Sequence, residues 1–386
     1  MTAQNVQYTP ADNDRDRSIL LGMAVPVQSV IYTATQAANP FVAGLPTVLN
    51  IPVRNVGLIT KFLVEVTATV VQGAAETQTR TTLGLANFFS SIVLTDLNNL
   101  VRHQTTGWHM NMVNTARRQM PTGAAYTTDN VMGFGSNYGY NSAPVTFTTA
   151  QTLNAMMEIP VAYSDTDLRG AIFANVINST MNLQVTINPN FSVAAGADAT
   201  QACYQSSTTD LAKITAYTIT VHQFYYDQLP KDQSGAYILP LIDLSYQYNL
   251  LNTSFTGLAA NSEFPMPYAN YRSFFSTTAI FDNGGTLNAG TDISYWAMRT
   301  ANSLNLFQYD PFVAQVLNGR NKIGDDWPKG VYYFDHRARP VTTLQFGNVD
   351  LIVNPKTVNA NAQMLVGYEF MGMANQLQSA GSIGQR

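Results

Sequence analysis

Residues 62–70 read FLVEVTATV, and this stretch decides the fold class because its side chains alternate with a period of two. One face is apolar and consists of Phe62, Val64, Val66, Ala68 and Val70. The opposite face includes Glu65, Thr67 and Thr69. Since successive side chains of a strand point to opposite faces of a sheet, the pattern predicts a strand with one face in a core and the other toward water.

The same alternation recurs further along the chain. Residues 181–187 (MNLQVTI) and residues 363–370 (QMLVGYEF) again separate apolar from mostly polar positions. Strand patterns occur from the beginning of the chain to its end, so the sequence predicts an all-β protein.

Three short segments have helical spacing instead. One starts near Trp108 with Thr106 as its cap, and another starts at Asp310 and Pro311 and ends near Gly319. The third is capped by Asp292, and its apolar stripe consists of Ile293, Trp296, Ala297, Thr300 and Ala301. We interpret all three as insertions between strands, which argues against a parallel α/β sheet.

A domain boundary is predicted at residues 227–240, DQLPKDQSGAYILP, where two prolines and a glycine interrupt the strand pattern. On each side of it, a penultimate strand ends in Asn-Pro, at Pro189 and at Pro355, and a closing strand follows. Two similar all-β units of this kind predict tandem eight-stranded jelly-roll β-sandwiches, a double jelly roll with short helices in the inter-strand loops. The expected parts are an N-terminal arm (1–25), a first jelly roll (26–236), a second jelly roll (237–372) and a C-terminal tail (373–386).

The surface is expected to be polar but nearly uncharged. Asp, Glu, Lys and Arg make up 11% of the 386 residues, against roughly 25% in typical soluble proteins. A surface of this kind can pack against copies of itself without desolvating many ions. Three copies around a three-fold axis would form a pseudo-hexagonal trimer. The net charge of −4 leaves no cationic excess for phosphates, so we expect no direct nucleic-acid binding.

Several kinds of chemistry find no support in the sequence. Cys203 is the single cysteine, which excludes an intrachain disulfide, and we expect an inert thiol. The histidines lack the HExxH spacing of a zinc protease and are expected to be structural or solvated; they are His103, His109, His222 and His336. We find neither a signal peptide pattern nor an apolar run near the ~20 residues of a membrane span.

Other polar runs are better explained as turns. GFGSNYG from Gly133 lacks the glycine spacing of a dinucleotide loop, and DNGGTLNAGTD from Asp282 lacks the closing Glu of an EF-hand. The latter is expected to join a strand to a helix. The acidic pairs 165/167 and 325/326 are typical of loops. We therefore expect no catalytic, metal or cofactor-binding residues.

The chain resembles the major capsid proteins of tectiviruses, which are bacteriophages with an internal membrane. Long colinear stretches carry the resemblance: TGWHMNMVNTA from Thr106, VAYSDTDLRGAIFANV from Val161, YDQLPKDQSGAYILPLIDLS from Tyr226, IFDNGGTLNAGTDISY from Ile280, WPKGVYYFDHRARP from Trp327 and FGNVDLIVNPKTVNANAQMLVGYEF from Phe346. The resemblance implies a double jelly-roll coat protein, trimeric, in an icosahedral shell around a membrane that encloses the genome. It also implies penton and minor capsid proteins as partners, and synthesis in the host bacterial cytoplasm.

The N-terminal arm supplies the candidate contact residues. In the family, this segment is a helix beneath the shell that meets the membrane. Residues 14–22 can form two helical turns, and we expect a shell-underside or membrane contact through Arg15, Arg17, Ile19 and Leu20. A flexible end, or a strap on a neighbouring subunit, is the alternative.

Two other classes of protein share this composition. A trimeric receptor-binding spike or lectin would gather exposed aromatic side chains in one groove. An enzyme on a β-sandwich would need a cleft with acids of raised pKa. Neither class accounts for the colinear stretches.

Overall fold

A computed structural model describes residues 8–36, 45–71, 76–118, 146–175, 180–285, 287, 290–302, 304–320 and 330–373. The helices are α1 (Pro10–Met23), α2 (Gly107–Arg118), α3 (Leu241–Leu244), α4 (Pro311–Arg320) and α5 (Thr343–Phe346), with a 3-10 turn over Gly84–Phe88.

The strands divide into two groups along the chain. The first group is β1 (Val25–Gln36), β2 (Thr47–Pro52), β3 (Leu58–Val71), β4 (Gln78–Arg80), β5 (Phe89–Thr95), β6 (Val101–Thr105), β7 (Thr146–Phe147), β8 (Gln151–Pro160), β9 (Ile172–Phe173), β10 (Asn182–Ile187), β11 (Ser192–Val193), β12 (Tyr204–Ser206) and β13 (Lys213–Asp227). The second is β14 (Tyr246–Phe255), β15 (Phe264–Pro267), β16 (Ser273–Asp282), β17 (Ile293–Thr300), β18 (Asn305–Tyr309), β19 (Val331–Asp335), β20 (Val341–Thr342), β21 (Val349–Pro355) and β22 (Gln363–Met373).

Each group forms a barrel of two packed four-stranded layers. In the first barrel, the layer β1-β13-β3-β8 faces β6-β5-β10-β2, and in the second, β19-β16-β22-β14 faces β15-β21-β17-β18. Short strands such as β9 and β20 pair at the margins. The eight principal strands of each barrel confirm the predicted double jelly roll.

The two barrels share one sheet. β14 of the second barrel pairs parallel with β6 of the first, through Leu250 opposite His103 and Leu251 opposite Gln104. The layer β6-β5-β10-β2 of the first barrel and the layer β19-β16-β22-β14 of the second thereby form one continuous sheet. Helix α2 packs beside this junction, against β5, β8 and β16. We call the pairing of β6 with β14 the barrel seam.

Two strands show how burial follows from position. β3 has the predicted half-buried pattern, with Phe62, Val64 and Val66 almost fully buried. In β22, by contrast, both faces are buried, because Tyr368 points into the second core while Leu365 points toward the first barrel. The barrel seam therefore buries a face that alternation alone would assign to solvent.

The helix predicted after Asp292 is wrong. These residues form β17, a central strand that pairs with both β18 and β21. Ala297 is fully buried between the partly exposed Tyr295 and Arg299, which interrupts the polar face of the strand. A register shift between Ile293 and Tyr295 disturbs the period further. DNGGTLNAGTD accordingly lies between two strands.

The other two predicted helices are confirmed, with one correction. At α4, the backbone N–H of Val313 donates to Asp310 Oδ1 at 2.9 Å, and Pro311 occupies the first turn. At α2, Thr106 does not cap through its side chain, since its hydroxyl is buried without a hydrogen-bond partner among the described residues. Its backbone carbonyl instead accepts from Met110 N–H at 3.0 Å.

Candidate functional site

The N-terminal arm is docked onto the linker between the barrels. Asn13 is buried, and its Oδ1 accepts from the backbone N–H groups of Ile242 and Asp243 at 2.9 and 3.2 Å. Its Nδ2 donates to Asp243 Oδ1 at 2.9 Å. Asn13 thus caps the first turn of α3, and the arm and the linker form one unit.

The four predicted contact residues do not share one outward face. Leu20 is 0% exposed and packs in a small core with Ala24, Leu58 and Leu229. Arg17 turns inward and pairs with Asp243 at 3.0 Å and with Asp14 at 2.6 Å.

Arg15 and Ile19 lie on the outer side of α1. The side chain of Arg15 is 61% exposed beside Asp12 and Asp16, and Ile19 is half-buried. Met23, four residues beyond Ile19, is 67% exposed. The outward stripe of α1 therefore consists of Arg15, Ile19 and Met23, at i, i+4 and i+8.

Replacing Asn13 with Ala is expected to undock the arm. The change removes three hydrogen bonds and leaves the Asp243 carboxylate buried with fewer donors, which costs about 1–3 kcal/mol. Hydrogen exchange measures the effect: amides of residues 10–23 should lose protection at least tenfold. Ser18→Ala is the control, since Ser18 bonds only within α1. Equal protection in both variants would contradict the docking.

A buried ionic cluster lies beside the barrel seam. Glu369 of β22 is 0% exposed; its Oε1 accepts from Tyr248 Oη at 3.0 Å, and its Oε2 accepts from Ser276 Oγ at 2.5 Å. Arg117 of α2 reaches across from the first barrel, with Nε 3.8 Å from Glu369 Oε1. Its guanidinium carbon lies 4.8 and 4.9 Å from the ring centroids of Tyr163 and Tyr248. One cation of the first barrel thus neutralises one carboxylate of the second.

His103 connects three strands at the barrel seam. Its Nε2 lies 2.6 Å from the carbonyl oxygen of Pro160, and the backbone N–H of Leu250 donates to its Nδ1 at 3.1 Å. A carbonyl can only accept, so Nε2 carries the hydrogen and Nδ1 is bare, which is the neutral imidazole. Burial lowers the pKa of His103 to about 4.

His109 packs against the second barrel. Its Nδ1 lies 2.7 Å from Thr105 Oγ1, and its Nε2 is buried without a hydrogen-bond partner in the described ranges. Burial lowers the pKa of His109 to about 3, and burial likewise lowers the pKa of His336 to about 4. All three rings are therefore neutral near pH 7. The fourth histidine, His222, lies on a partly exposed strand face beside Gln28.

Gly367 of β22 leaves the space that the His109 ring occupies. A Cβ at position 367 would lie less than 3.0 Å from Cγ, Cδ2 and Nε2 of that ring. Gly367→Ala is expected to reduce the free energy of unfolding by about 1–3 kcal/mol, because the ring is buried and cannot move aside freely. Urea denaturation measures this.

Gly22→Ala is the matched control for Gly367→Ala. Position 22 in α1 has no atom within 4 Å of an added Cβ, so the change should leave stability equal or raise it by about 0.5–1 kcal/mol. Similar effects at the two positions would refute the packing explanation.

A wide groove beside the seam has its charges paired. It holds about 400 Å³ and is lined in part by Lys61, Glu158, Asp165 and Arg337. Lys61 Nζ lies 3.5 Å from Glu158 and 2.9 Å from Asp165, and Arg337 is paired with Asp335. The neighbouring Asp167 is paired with Arg169 at 2.6 Å. This ion-paired arrangement is structural in character.

The remaining candidates give no reactive centre in the described part of the chain. Cys203 is buried in the first core, and burial raises the pKa of its thiol well above the ordinary value. No cluster of three or more His, Cys, Asp or Glu side chains is placed to hold a metal ion among these residues. No helix there is long and apolar enough to cross a membrane. GFGSNYG and the acids at 325 and 326 lie outside the described residues.

Two sequence signals of these sites were missed. Thr9 and Asp12 form a capping box around Pro10, so α1 begins earlier than position 14. Glu369 is the only charged residue of QMLVGYEF; an acid in so apolar a strand indicates a buried partner. Its cation, Arg117, is far away in the chain and could not be inferred from spacing.

Two protein-family models match successive parts of the chain. Residues 5–229 match the family model described as P3 major capsid protein N-terminal, and residues 245–385 match P3 major capsid protein C-terminal. The chain is 41% identical over 384 residues to the major capsid protein P3 of Enterobacteria phage PRD1, covering 98% of this chain and 95% of that protein.

Solved structures with the same fold have little sequence identity. The STIV MCP, from Sulfolobus Turreted Icosahedral Virus, has a TM-score of 0.61 at 11% identity and covers 91% of this chain and 98% of that one. The PBCV-1 virus capsid has a TM-score of 0.54 at 11% identity, covering 91% and 97%. These likenesses concern the fold alone.

Proposed function

The chain belongs to the P3 major capsid protein family, and from this membership we propose that three copies associate around a three-fold axis into a nearly six-sided tile of an icosahedral shell. It is a major capsid protein of the virion, a structural protein and not an enzyme. The observation that carries the proposal is the pair of similar barrels in one chain, since each copy then presents two similar sides to its neighbours.

The proposed domains follow the two strand groups. The first jelly roll takes residues 26–236 and the second 237–372, between the arm (1–25) and the tail (373–386). In support, the strands of the first barrel end at Asp227, and those of the second begin at Tyr246. The linker between them carries the docking site of the arm.

The proposed surroundings are a viral membrane beneath the shell, enclosing the genome, with penton and minor capsid proteins as further partners. Synthesis is proposed in the host bacterial cytoplasm. The outward stripe of α1 supports an underside contact through Arg15 and Ile19, extended by Met23, because a cation beside apolar side chains suits a lipid or protein interface. Arg17 and Leu20 would act indirectly, by holding α1 in place.

The native mass of the purified protein tests the trimer. Three chains of 42.2 kDa give about 127 kDa, and electron microscopy should show hexagonal particles of that mass. Because the interfaces are expected to be large and poor in charge, the trimer should resist changes in salt concentration. A stable monomer would refute the proposal.

A further inference from the structure

A second groove, of about 180 Å³, lies on the barrel seam. Its lining includes Arg102 and Gln104 of β6, Gln247 and Asn249 of β14, and Arg272 and Phe370. Ligand pockets for drug-sized molecules hold about 300–1,000 Å³. This groove is smaller, so its size suits one protein side chain or one small ion.

Arg102 is a buried cation in this groove. Its side chain is 10% exposed, and its Nε donates to Asp96 Oδ2 at 2.7 Å. Its Nη1 is buried without a hydrogen-bond partner in the part of the chain that the structure describes. Asp96 thus occupies only one of the donors of Arg102.

Arg272 is the second cation, and it is not paired with any carboxylate of the described residues. Its guanidinium carbon lies 4.4 Å from the ring centroid of Phe370, and its Nε is buried without a hydrogen-bond partner among those residues. Burial lowers the pKa of both Arg102 and Arg272, which reflects the cost of an incompletely paired cation.

The groove is therefore lined by two cations, and the one carboxylate paired with either of them among the described residues is Asp96, the partner of Arg102. Half-buried charge without a counter-ion is costly, and an anion in the groove would relieve that cost. A guanidinium presents parallel N–H donors that match the two oxygens of a carboxylate. Gln104, Gln247 and Asn249 can supply further polar contacts.

We propose that this groove binds a carboxylate and that, in the shell, an acidic side chain of a neighbouring copy provides it. The second part rests on the proposed function. A chain with a net charge of −4 offers acidic side chains in excess of cations, and assembly brings many copies of the same surface together. A free small carboxylate is the other source of the same chemistry.

The first experiment measures binding of acetate to the full-length protein. Thermal unfolding is followed while acetate replaces chloride at constant ionic strength, and a saturable rise in Tm of about 2 °C is expected. Arg272→Met should abolish the rise, and Arg272→Lys, which keeps the charge without the planar fork, should reduce it. Arg339→Met is the control, because Arg339 is exposed and does not line the groove.

The second experiment measures assembly of the same variants. Arg272→Met should raise the concentration needed for shells or hexagonal sheets at least tenfold, with the native mass unchanged. An acetate effect with normal assembly would overturn the neighbouring copy as the source and assign the groove to a free anion. Wild-type protein with no acetate effect, together with normal assembly of Arg272→Met, would overturn the proposal. A monomeric native mass would instead refute the trimer, and the acetate titration would still decide the groove.

Discussion

Replacing Arg117 with Met is expected to lower the free energy of unfolding by about 3–5 kcal/mol. Met keeps the length of the side chain but removes the charge, and the carboxylate of Glu369 then stays buried with hydroxyl donors only. The substitution also removes the stacking on Tyr163 and Tyr248. Equilibrium denaturation in urea measures the change.

A double-mutant cycle separates the charge from the packing. Glu369→Gln removes the carboxylate in nearly the same volume, so the Arg117→Met and Glu369→Gln double variant should be more stable than Arg117→Met alone. A strictly additive double variant would show that the two groups do not interact. Stability of Arg117→Met within about 0.5 kcal/mol of wild type would show that Glu369 needs no cation.

Acid is expected to unfold the soluble protein between pH 6.5 and 4. His103, His109 and His336 have folded-state pKa values of about 4, 3 and 4, all below the ordinary 6.5. In this window the three histidines are protonated in the unfolded chain but not in the folded chain, so the free energy of unfolding falls as the pH falls. Each histidine contributes a slope of about 1.4 kcal/mol per pH unit, which amounts to roughly 3 kcal/mol for each histidine over this window. The combined loss approaches the whole stability of a typical domain, about 5–15 kcal/mol.

His103 gives the sharpest test of this acid sensitivity, because a proton on Nδ1 would confront the N–H of Leu250 at the barrel seam. His103→Gln can still donate to Pro160, and it should reduce the pH slope of the unfolding free energy by about 1.4 kcal/mol per unit between pH 6 and 5. Above pH 7, the curves of variant and wild type should run parallel. An unchanged slope below pH 6 would refute the role of His103.

The parts of the fold that could be predicted from the sequence are those with a single exposed face. β3 and β10 each cover one core, so period-two alternation locates them. β17 was predicted wrongly because a buried Ala297 and a register shift interrupt its alternation. Its stripe of Ile293, Trp296 and Ala297 has the spacing of a helix as well. Position in the sheet, which depends on partners distant in the chain, decides such strands.

The candidate sites were less predictable, for a related reason. Leu20 and Arg17 have the character of an exposed amphipathic helix. Leu20 is nevertheless buried in a small core that includes Leu58 of the first barrel, and Arg17 pairs with Asp243 of the linker, more than 200 residues away. Arg117 with Glu369 and Arg102 with Arg272 are likewise brought together only by the barrel seam. The sparsely charged surface is a prediction of another kind, because composition does not depend on which residues meet.

The barrel seam also affects how the newly synthesised chain avoids aggregation. A strand at the border of a sheet offers unpaired backbone groups that can recruit another chain into a fibre. Two separate barrels would leave β6 and β14 open in this way, whereas here each covers part of the other's edge. The shared sheet ends at β2 in the first barrel and at β19 in the second. A protein made in many copies thereby exposes fewer open strand edges that could pair with another chain before assembly.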